Sequence, residues 1–195
     1  MSVSFEQSET CLNLMRAYAG ECQARTRYNL AASLARGQKL RVIEEVFTYT
    51  AGQELQHAKI FYSLLAPLSG KQVPVNGTYP VEVEPDLLTH LKFASHNEYQ
   101  EWQHDYAGFA HVAKEEGFAE VSHYFSEIAR IEKIHGDRFS HYAQLLEEER
   151  LFSSDKQENW VCLNCGHVVG ATLAPELCPV CKHGRGFFLR ESMAP

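Results

Sequence analysis

Four short motifs place carboxylates and imidazoles at spacings that suit metal ligation: Glu54-x-x-His57, Glu132-x-x-His135, Glu98-x-x-Glu101 and a lone Glu21. Residues three apart on a helix share a face, about 5–6 Å from one another. A Glu and a His from one turn can therefore serve the same metal pair. One such motif is better explained by a buried ionic network. Four of them, on four expected helices, describe a carboxylate-bridged two-metal site inside a four-helix bundle. Oxygen-rich ligation with few imidazoles suits iron or manganese, whereas structural zinc prefers thiolate and imidazole. Two ferric ions with a bridging oxide would offset nearly all the charge of the five carboxylates.

A second signature lies near the C-terminus: Cys162-x-x-Cys165, twelve residues, then Cys178-x-x-Cys181. Four thiolates on two knuckle-like turns make a tetrahedral cage for one iron or one structural zinc. Beside a redox-capable pair, iron is the better match, and a chain with both sites is built to move electrons between them. Trp160, Phe187 and Phe188 stand close enough in sequence to shield the cage. Cys11 and Cys22 fall on one expected helix, about 16 Å apart along its axis, so they cannot bridge and read as free thiols.

The helices that must carry these ligands show in the apolar pattern. Leu14, Ala17, Glu21, Ala24, Tyr28, Ala31 and Ala35 alternate steps of three and four, predicting a helix over 8–36 that Gly37 ends. Ile43, Phe47, Thr50, Glu54, His57, Phe61 and Leu64 predict a second over 39–66. Residues 67–85 hold Pro67, Gly70, Pro74, Gly77, Pro80 and Pro85, too long for a tight turn and too broken for a helix. A crossover running the length of the bundle fits, as in ferritin-like folds. Leu87, Leu91, Ala94, Glu98 and Glu101 predict a third helix over 86–116. Phe118, Val121, Phe125, Ile128, Glu132, His135, Phe139, Tyr142 and Leu146 mark a fourth. In all four the apolar seam is interrupted by a carboxylate or imidazole. An unpaired buried charge costs several kcal/mol, roughly, and metal ions relieve it.

The expected architecture is mainly α. Residues 1–150 form the bundle, 151–158 a linker, and 159–195 a small metal-knuckle domain with too few apolar residues to fold without its metal. His104, rotated about 120° from Glu98, reads as solvated or supporting rather than ligating. Tyr28 reads equally as core packing or as a hydrogen-bond donor to a ligand, and Tyr106 is a weaker case of the same kind. The net charge is −7; residues 151–195 hold four acids and four bases, so the acidic excess lies in the bundle. This argues against nucleic acid as partner. No apolar run approaches the ~20 residues of a membrane span, and the polar N-terminus has no signal-peptide character, which points to the cytoplasm.

With these residues in hand, the chain resembles the rubrerythrins: a ferritin-like diiron domain followed by a rubredoxin-like domain. Ala19-Gly-Glu-Cys-Gln-Ala-Arg-Thr-Arg-Tyr28 is similar to the family's first-helix motif, with Cys22 where Ser is common. Glu54-Leu-Gln-His57, Glu132-Lys-Ile-His135 and Glu98-Tyr-Gln-Glu101 match its ligand motifs, although His96-Asn97 replaces the small residues common before the last. Trp160-Val-Cys162-Leu-Asn-Cys165-Gly and Ala174-Pro-Glu-Leu-Cys178-Pro-Val-Cys181 resemble its rubredoxin knuckles. The resemblance implies two irons in the bundle, one in the cysteine cage, and a non-haem peroxidase that reduces hydrogen peroxide to water. Electrons would come from a reductase or rubredoxin-like donor. It implies that Glu54 and Glu132 bridge, that Glu21 and Glu101 serve one iron and Glu98 and His135 the other, and that His57 is the alternative ligand to the first. The geometry of chain ends implies a head-to-tail homodimer or higher homo-oligomer. Two other classes compete: a ferroxidase or iron-handling protein, and a non-catalytic module with structural zinc.

Overall fold

The computed structural model describes residues 3–193. Helix α1 (Glu9–Gly37) begins at Ser8, whose hydroxyl accepts the Cys11 backbone N–H at 3.1 Å and satisfies one orphan donor of the first turn. Lys39, at φ 60°, turns the chain into α2 (Arg41–Leu64). So short a connection makes the two helices antiparallel neighbours. After a short 3-10 turn the chain runs without regular structure to Asp86, which caps α3 (Leu87–Gln100) by accepting the Thr89 N–H at 2.8 Å. This crossover is strapped along α1. Arg16 Nε donates to the Asn76 carbonyl at 3.0 Å, and eleven residues further on Arg27 pairs with Glu82 at 2.7 Å. Asn97 also donates to Glu82, at 2.6 Å. The residue that departs from the family's small side chains therefore ties α3 to the crossover.

The third helix is not the continuous α-helix expected over 86–116. Glu101–Asp105 forms a π turn, and α4 (Tyr106–Glu115) continues beyond it. A π turn accommodates one extra residue without breaking the helix, which an α-helical period cannot reveal. Gly117, at φ +89°, reverses the chain into α5 (Ala119–Glu147).

The bundle core is divided in two. Tyr28, Ile43, Phe47, Leu91 and Phe139 lie in one apolar cluster, and Leu14, Phe61, Tyr106, Val121 and Phe125 in the other. Each burial of a large apolar side chain stabilises by roughly 1.5–3 kcal/mol. The clusters repeat one another. Tyr28, Phe47 and Phe139 form a trio with ring separations of 6.0, 5.0 and 5.2 Å. Tyr106, Phe125 and Phe61 form its counterpart at 5.9, 5.4 and 5.1 Å. Phe47 and Phe61 stand seven residues either side of Glu54, as Phe125 and Phe139 do of Glu132. The bundle thus has an internal two-fold pattern, and the charged seam residues lie between its halves.

The stretch 151–158 is not a free linker. Leu151 is buried in the bundle core, and β1 (Ser153–Cys162) begins two residues later. β1 pairs antiparallel with β2 (Val168–Leu173) and β3 (Phe188–Arg190), in the order β2-β1-β3. Ser153 to Glu158 gave no strand signal because both faces of this ribbon are largely polar, and its pairing with β2 is irregular there. Arg190 donates to the carbonyls of Arg150 and Ser153, and Leu189 packs into the bundle cluster, so the small sheet docks on one end of the bundle.

Candidate metal centres

Six of the seven carboxylate and imidazole residues singled out in the bundle meet in the layer between the aromatic trios. Glu21, Glu54, His57, Glu132 form one group, and Glu54, Glu98, Glu132, His135 the other, with one ligand atom from each residue within 4.8 Å of the rest of its group. All six residues are buried. His57 Nδ1 stands 2.9 Å from Glu132 Oε1, 3.1 Å from Glu54 Oε2 and 3.8 Å from Glu21 Oε2. His135 Nδ1 stands 2.8 Å from Glu132 Oε2, 3.0 Å from Glu54 Oε1 and 3.7 Å from Glu98 Oε2. Glu54 and Glu132 thus offer one oxygen to each half, the disposition of bridging carboxylates. Glu21 and Glu98 each belong to one half.

These atoms fit a metal pair. Ligands at about 2.1 Å from an ion lie about 3.0–3.4 Å from one another, close to the separations observed. Glu21 Oε2, Glu54 Oε1, Glu98 Oε2, both oxygens of Glu132 and His135 Nδ1 are buried without a well-formed hydrogen bond, although they crowd together. Buried polar atoms left unpaired are costly, and cations at the centre of each group would satisfy them.

The electrostatics of the metal-free chain say the same. Burial pushes the Glu21 carboxyl up to about 8, the Glu54 charge adding to it and His57 opposing. Burial also raises Glu54 and Glu132. Burial alone would lower both imidazoles, but the surrounding carboxylates win: His57 is raised, chiefly by the Glu132 charge, and His135 is raised to about 12 by its bonds to Glu132, Glu54 and Glu98. Burial works against an ionised Glu98, yet His135 and Tyr28 hold it below the usual carboxylate range. Protons stand in for missing positive charge.

Two phenols hold the terminal carboxylates. Tyr106 donates to Glu21 Oε1 at 2.5 Å, and Tyr28 donates to Glu98 Oε1. Burial first, then the neighbouring carboxylates, keep both phenols far above their ordinary pKa, so both remain donors. Each bond occupies the outer oxygen and leaves Oε2 for a metal. Tyr28 follows Glu21 by seven residues and Tyr106 follows Glu98 by eight. The π turn accounts for the additional one.

Glu101, the seventh residue, is not in either ligand group. It sits half-buried at the start of the π turn. Burial, then the charges of Glu98, Glu21, Glu132 and Glu54, raise its carboxyl well above the usual range. With Tyr106 and Gln23 it lines a cleft of about 370 Å³ between α1, the π turn and crossover residues Asn76 to Pro80. His104 is exposed. Gln53 and Arg138 were not singled out from the sequence, yet both lie directly behind His135. Their position one residue before one ligand and three after another was the available signal.

The four cysteines close into one cage, with Cys162 Sγ and Cys181 Sγ 3.6 Å apart and Cys165 Sγ and Cys178 Sγ also 3.6 Å apart. A tetrahedral site with metal–sulfur bonds of about 2.3 Å has edges of about 3.8 Å. The two knuckles are built alike. Cys162 N–H donates to His167 O and Gly166 N–H to Cys162 O; Cys178 N–H donates to His183 O and Lys182 N–H to Cys178 O. Gly166 and Lys182 take φ +74° and +63° to close them. Trp160, Cys162, Cys178 and Phe188 are buried, while Cys165 is exposed and Cys181 half-buried. One side of the cage faces solvent.

Two Glu-x-x-His helices and two further Glu-bearing helices, with bridging carboxylates between two imidazoles, place the bundle in the class of ferritin-like diiron proteins. The Rubrerythrin family profile matches residues 13–143, and that of the rubrerythrin rubredoxin-like domain matches 160–188. The chain belongs to the rubrerythrin family. It is 44% identical to a rubrerythrin of Clostridium perfringens over 95% of each chain. It is 36% identical to one of Porphyromonas gingivalis over 96% of this chain and 92% of the other. A solved structure of nigerythrin in a mixed-valence state superposes with a TM-score of 0.63 at 26% identity, covering 94% of this chain and 90% of that one. The residues accordingly provide for a carboxylate- and histidine-bound diiron centre and a four-cysteine iron site, and the chain is an iron-dependent redox protein. No helix among the described residues is long and apolar enough to cross a membrane.

Proposed function

We propose that this protein is a cytoplasmic non-haem peroxidase that reduces hydrogen peroxide to water in defence against oxidative stress. The supporting observation is the pairing of a diiron centre with a four-cysteine iron site on one chain. Iron oxidation by oxygen requires no electron input, so the cysteine site speaks for a reductive reaction over ferroxidase activity. The reaction takes up two electrons and two protons per peroxide and releases two waters. When bound, the two irons supply the electrons that cleave the O–O bond.

The side chains do the rest. Glu21, Glu54, His57, Glu98, Glu132 and His135 would hold the irons, with Tyr28 and Tyr106 fixing the two terminal carboxylates. The cleft beside Glu101 is the route for peroxide, since Glu101 is the one residue of the seven that is not buried. The aromatic trios above and below keep bulk water from the rest of the centre. Glu101 and His57 would compete for one iron position. A ferric ion favours the carboxylate, and loss of one positive charge makes neutral imidazole competitive. In oxidised protein Glu101 would hold that position, and in reduced protein His57 would. Crystal structures in both states test this, and identical ligation in the two would end the idea.

Electrons would enter at the exposed side of the cysteine cage from an NAD(P)H-linked reductase or a rubredoxin-like protein. The decisive experiment is peroxide consumption driven by such a donor. Replacing Cys178→Ser should abolish steady turnover while a pre-reduced diiron site still consumes one equivalent of peroxide. Steady turnover surviving in C178S would remove the cysteine site from the pathway.

A further inference from the structure

The two halves of the diiron centre differ behind their imidazoles. His135 Nε2 lies 3.1 Å from Gln53 Oε1. Arg138 Nη1 lies 3.1 Å from the same oxygen and 3.0 Å from Thr50 Oγ1, with its guanidinium 5.0 Å above the Tyr49 ring. A guanidinium only donates, so the Gln53 amide must turn its oxygen toward Arg138. The His135 nitrogen facing that oxygen then carries its hydrogen. Nδ1, which points at Glu54, Glu98 and Glu132, is left with the lone pair for a metal.

The two-fold pattern shows what the other half lacks. Glu54 and His57 correspond to Glu132 and His135, so Gln53 corresponds to Ile131 and Arg138 to Ile60. Neither isoleucine side chain can hydrogen-bond. His57 makes its polar contacts through Nδ1, to carboxylates alone, and its Nε2 makes none among the described residues.

We propose that Gln53 and Arg138 are positioning residues that lock the ring orientation and tautomer of His135, making the centre asymmetric. The iron position served by His135 is the firmly held one, and the position served by His57 is the labile one. Removing such an outer partner of a metal-bound histidine costs about 10–100-fold in metal affinity. Arg138 also sets a positive charge on the His135 side, which favours the reduced state there. The inference rests on the diiron centre and not on peroxide chemistry, so it stands or falls separately from the peroxidase reading.

The test uses full-length, iron-loaded protein diluted into a chelator, with the cysteine-bound iron followed separately by its visible absorption. The unmodified protein should release its two bundle irons in two phases at least tenfold apart, about the lower bound for such a tether. Gln53→Leu should bring the slow phase close to the fast one. Gln53→Glu, which keeps an acceptor oxygen at the same reach, should restore the separation. The proposal is overturned by a single phase in the unmodified protein, by an unchanged slow phase in Q53L, or by no rescue in Q53E. Should Q53L lose helix content by circular dichroism, Arg138→Leu carries the same release test. Arg138→Leu should also lower the midpoint potential of the bundle irons, and Arg138→Lys, which keeps the charge, should not. An unshifted potential in R138L would overturn the role of Arg138.

Discussion

Tyr28 and Tyr106 decide which oxygen of each terminal carboxylate is available to a metal. Tyr28→Phe leaves Glu98 Oε1 without its donor, and Tyr106→Phe does the same to Glu21 Oε1. An unmet buried acceptor costs about 1–3 kcal/mol, and loss of an outer partner weakens metal binding by about 10–100-fold. Each variant should bind one iron more weakly and leave the other near normal, read by calorimetric titration. The titrating residues predict the behaviour of the metal-free chain. Glu21, at about 8 when folded, lies above its unfolded value of about 4.3, and His57 and His135 lie above theirs of about 6.5. All three bind protons more tightly folded than unfolded, so stability falls as pH rises. The carboxyl contribution is lost between about pH 4.3 and 8. The imidazole contribution is whole below about pH 6.5 and is lost as pH rises toward the folded value of about 12 for His135. Metal-free protein should therefore melt lower at pH 9 than at pH 6, and iron-loaded protein, its protons displaced, should change less. A metal-free melting temperature that rises with pH would contradict this account.

At the scale of the element, the π turn is what separates α3–α4 from α1. Without the inserted residue Glu98 and Tyr106 would stand seven apart, as Glu21 and Tyr28 do. Deleting the exposed Gln103 should convert the turn to α-helix and leave both flanks in register. The variant should fold, retain both phenol–carboxylate bonds and bind two irons by metal analysis. Its first iron should lose any redox-dependent exchange between Glu101 and His57, giving the same ligands in oxidised and reduced crystals and slower peroxide turnover. Failure to bind two irons would mean that the inserted residue is structural.

Across the whole molecule, the small sheet begins far along α5 from the ligands of its own bundle. α5 runs twelve residues from His135 to Glu147, about 18 Å, before the chain enters the sheet. A head-to-tail dimer would bring a partner's cysteine-bound iron nearer, and light scattering should find at least a dimer; a fully active monomer would refute the arrangement. Docking depends on Gly186, where an added Cβ would stand 2.0 Å from the Lys39 carbonyl oxygen. Gly186→Ala should push the sheet off the bundle end at a cost of about 1–3 kcal/mol. Proteolysis near residues 149–153 should accelerate while the iron content of both sites persists.

Most of the residues that cluster between the aromatic trios were readable from the chain alone, because a buried helix seam admits charge only where something compensates it. Glu21, Glu54, His57, Glu98, Glu132 and His135 break otherwise apolar periods, and Cys-x-x-Cys pairs announce a cage whatever surrounds them. The long crossover was equally legible, since its prolines exclude helix. Tertiary structure decided the rest, for reasons of geometry. Period counting assumes 3.6 residues per turn, so the extra residue of the π turn that begins at Glu101 leaves no trace. Residues Ser153 to Glu158 become a strand only because β2 is there to pair with them. Gln53 lies one residue from a ligand on its own helix, but its function is toward His135, eighty-two residues away. Only the packing of α2 against α5 brings that amide, and Arg138 behind it, to one of the two imidazoles and not the other.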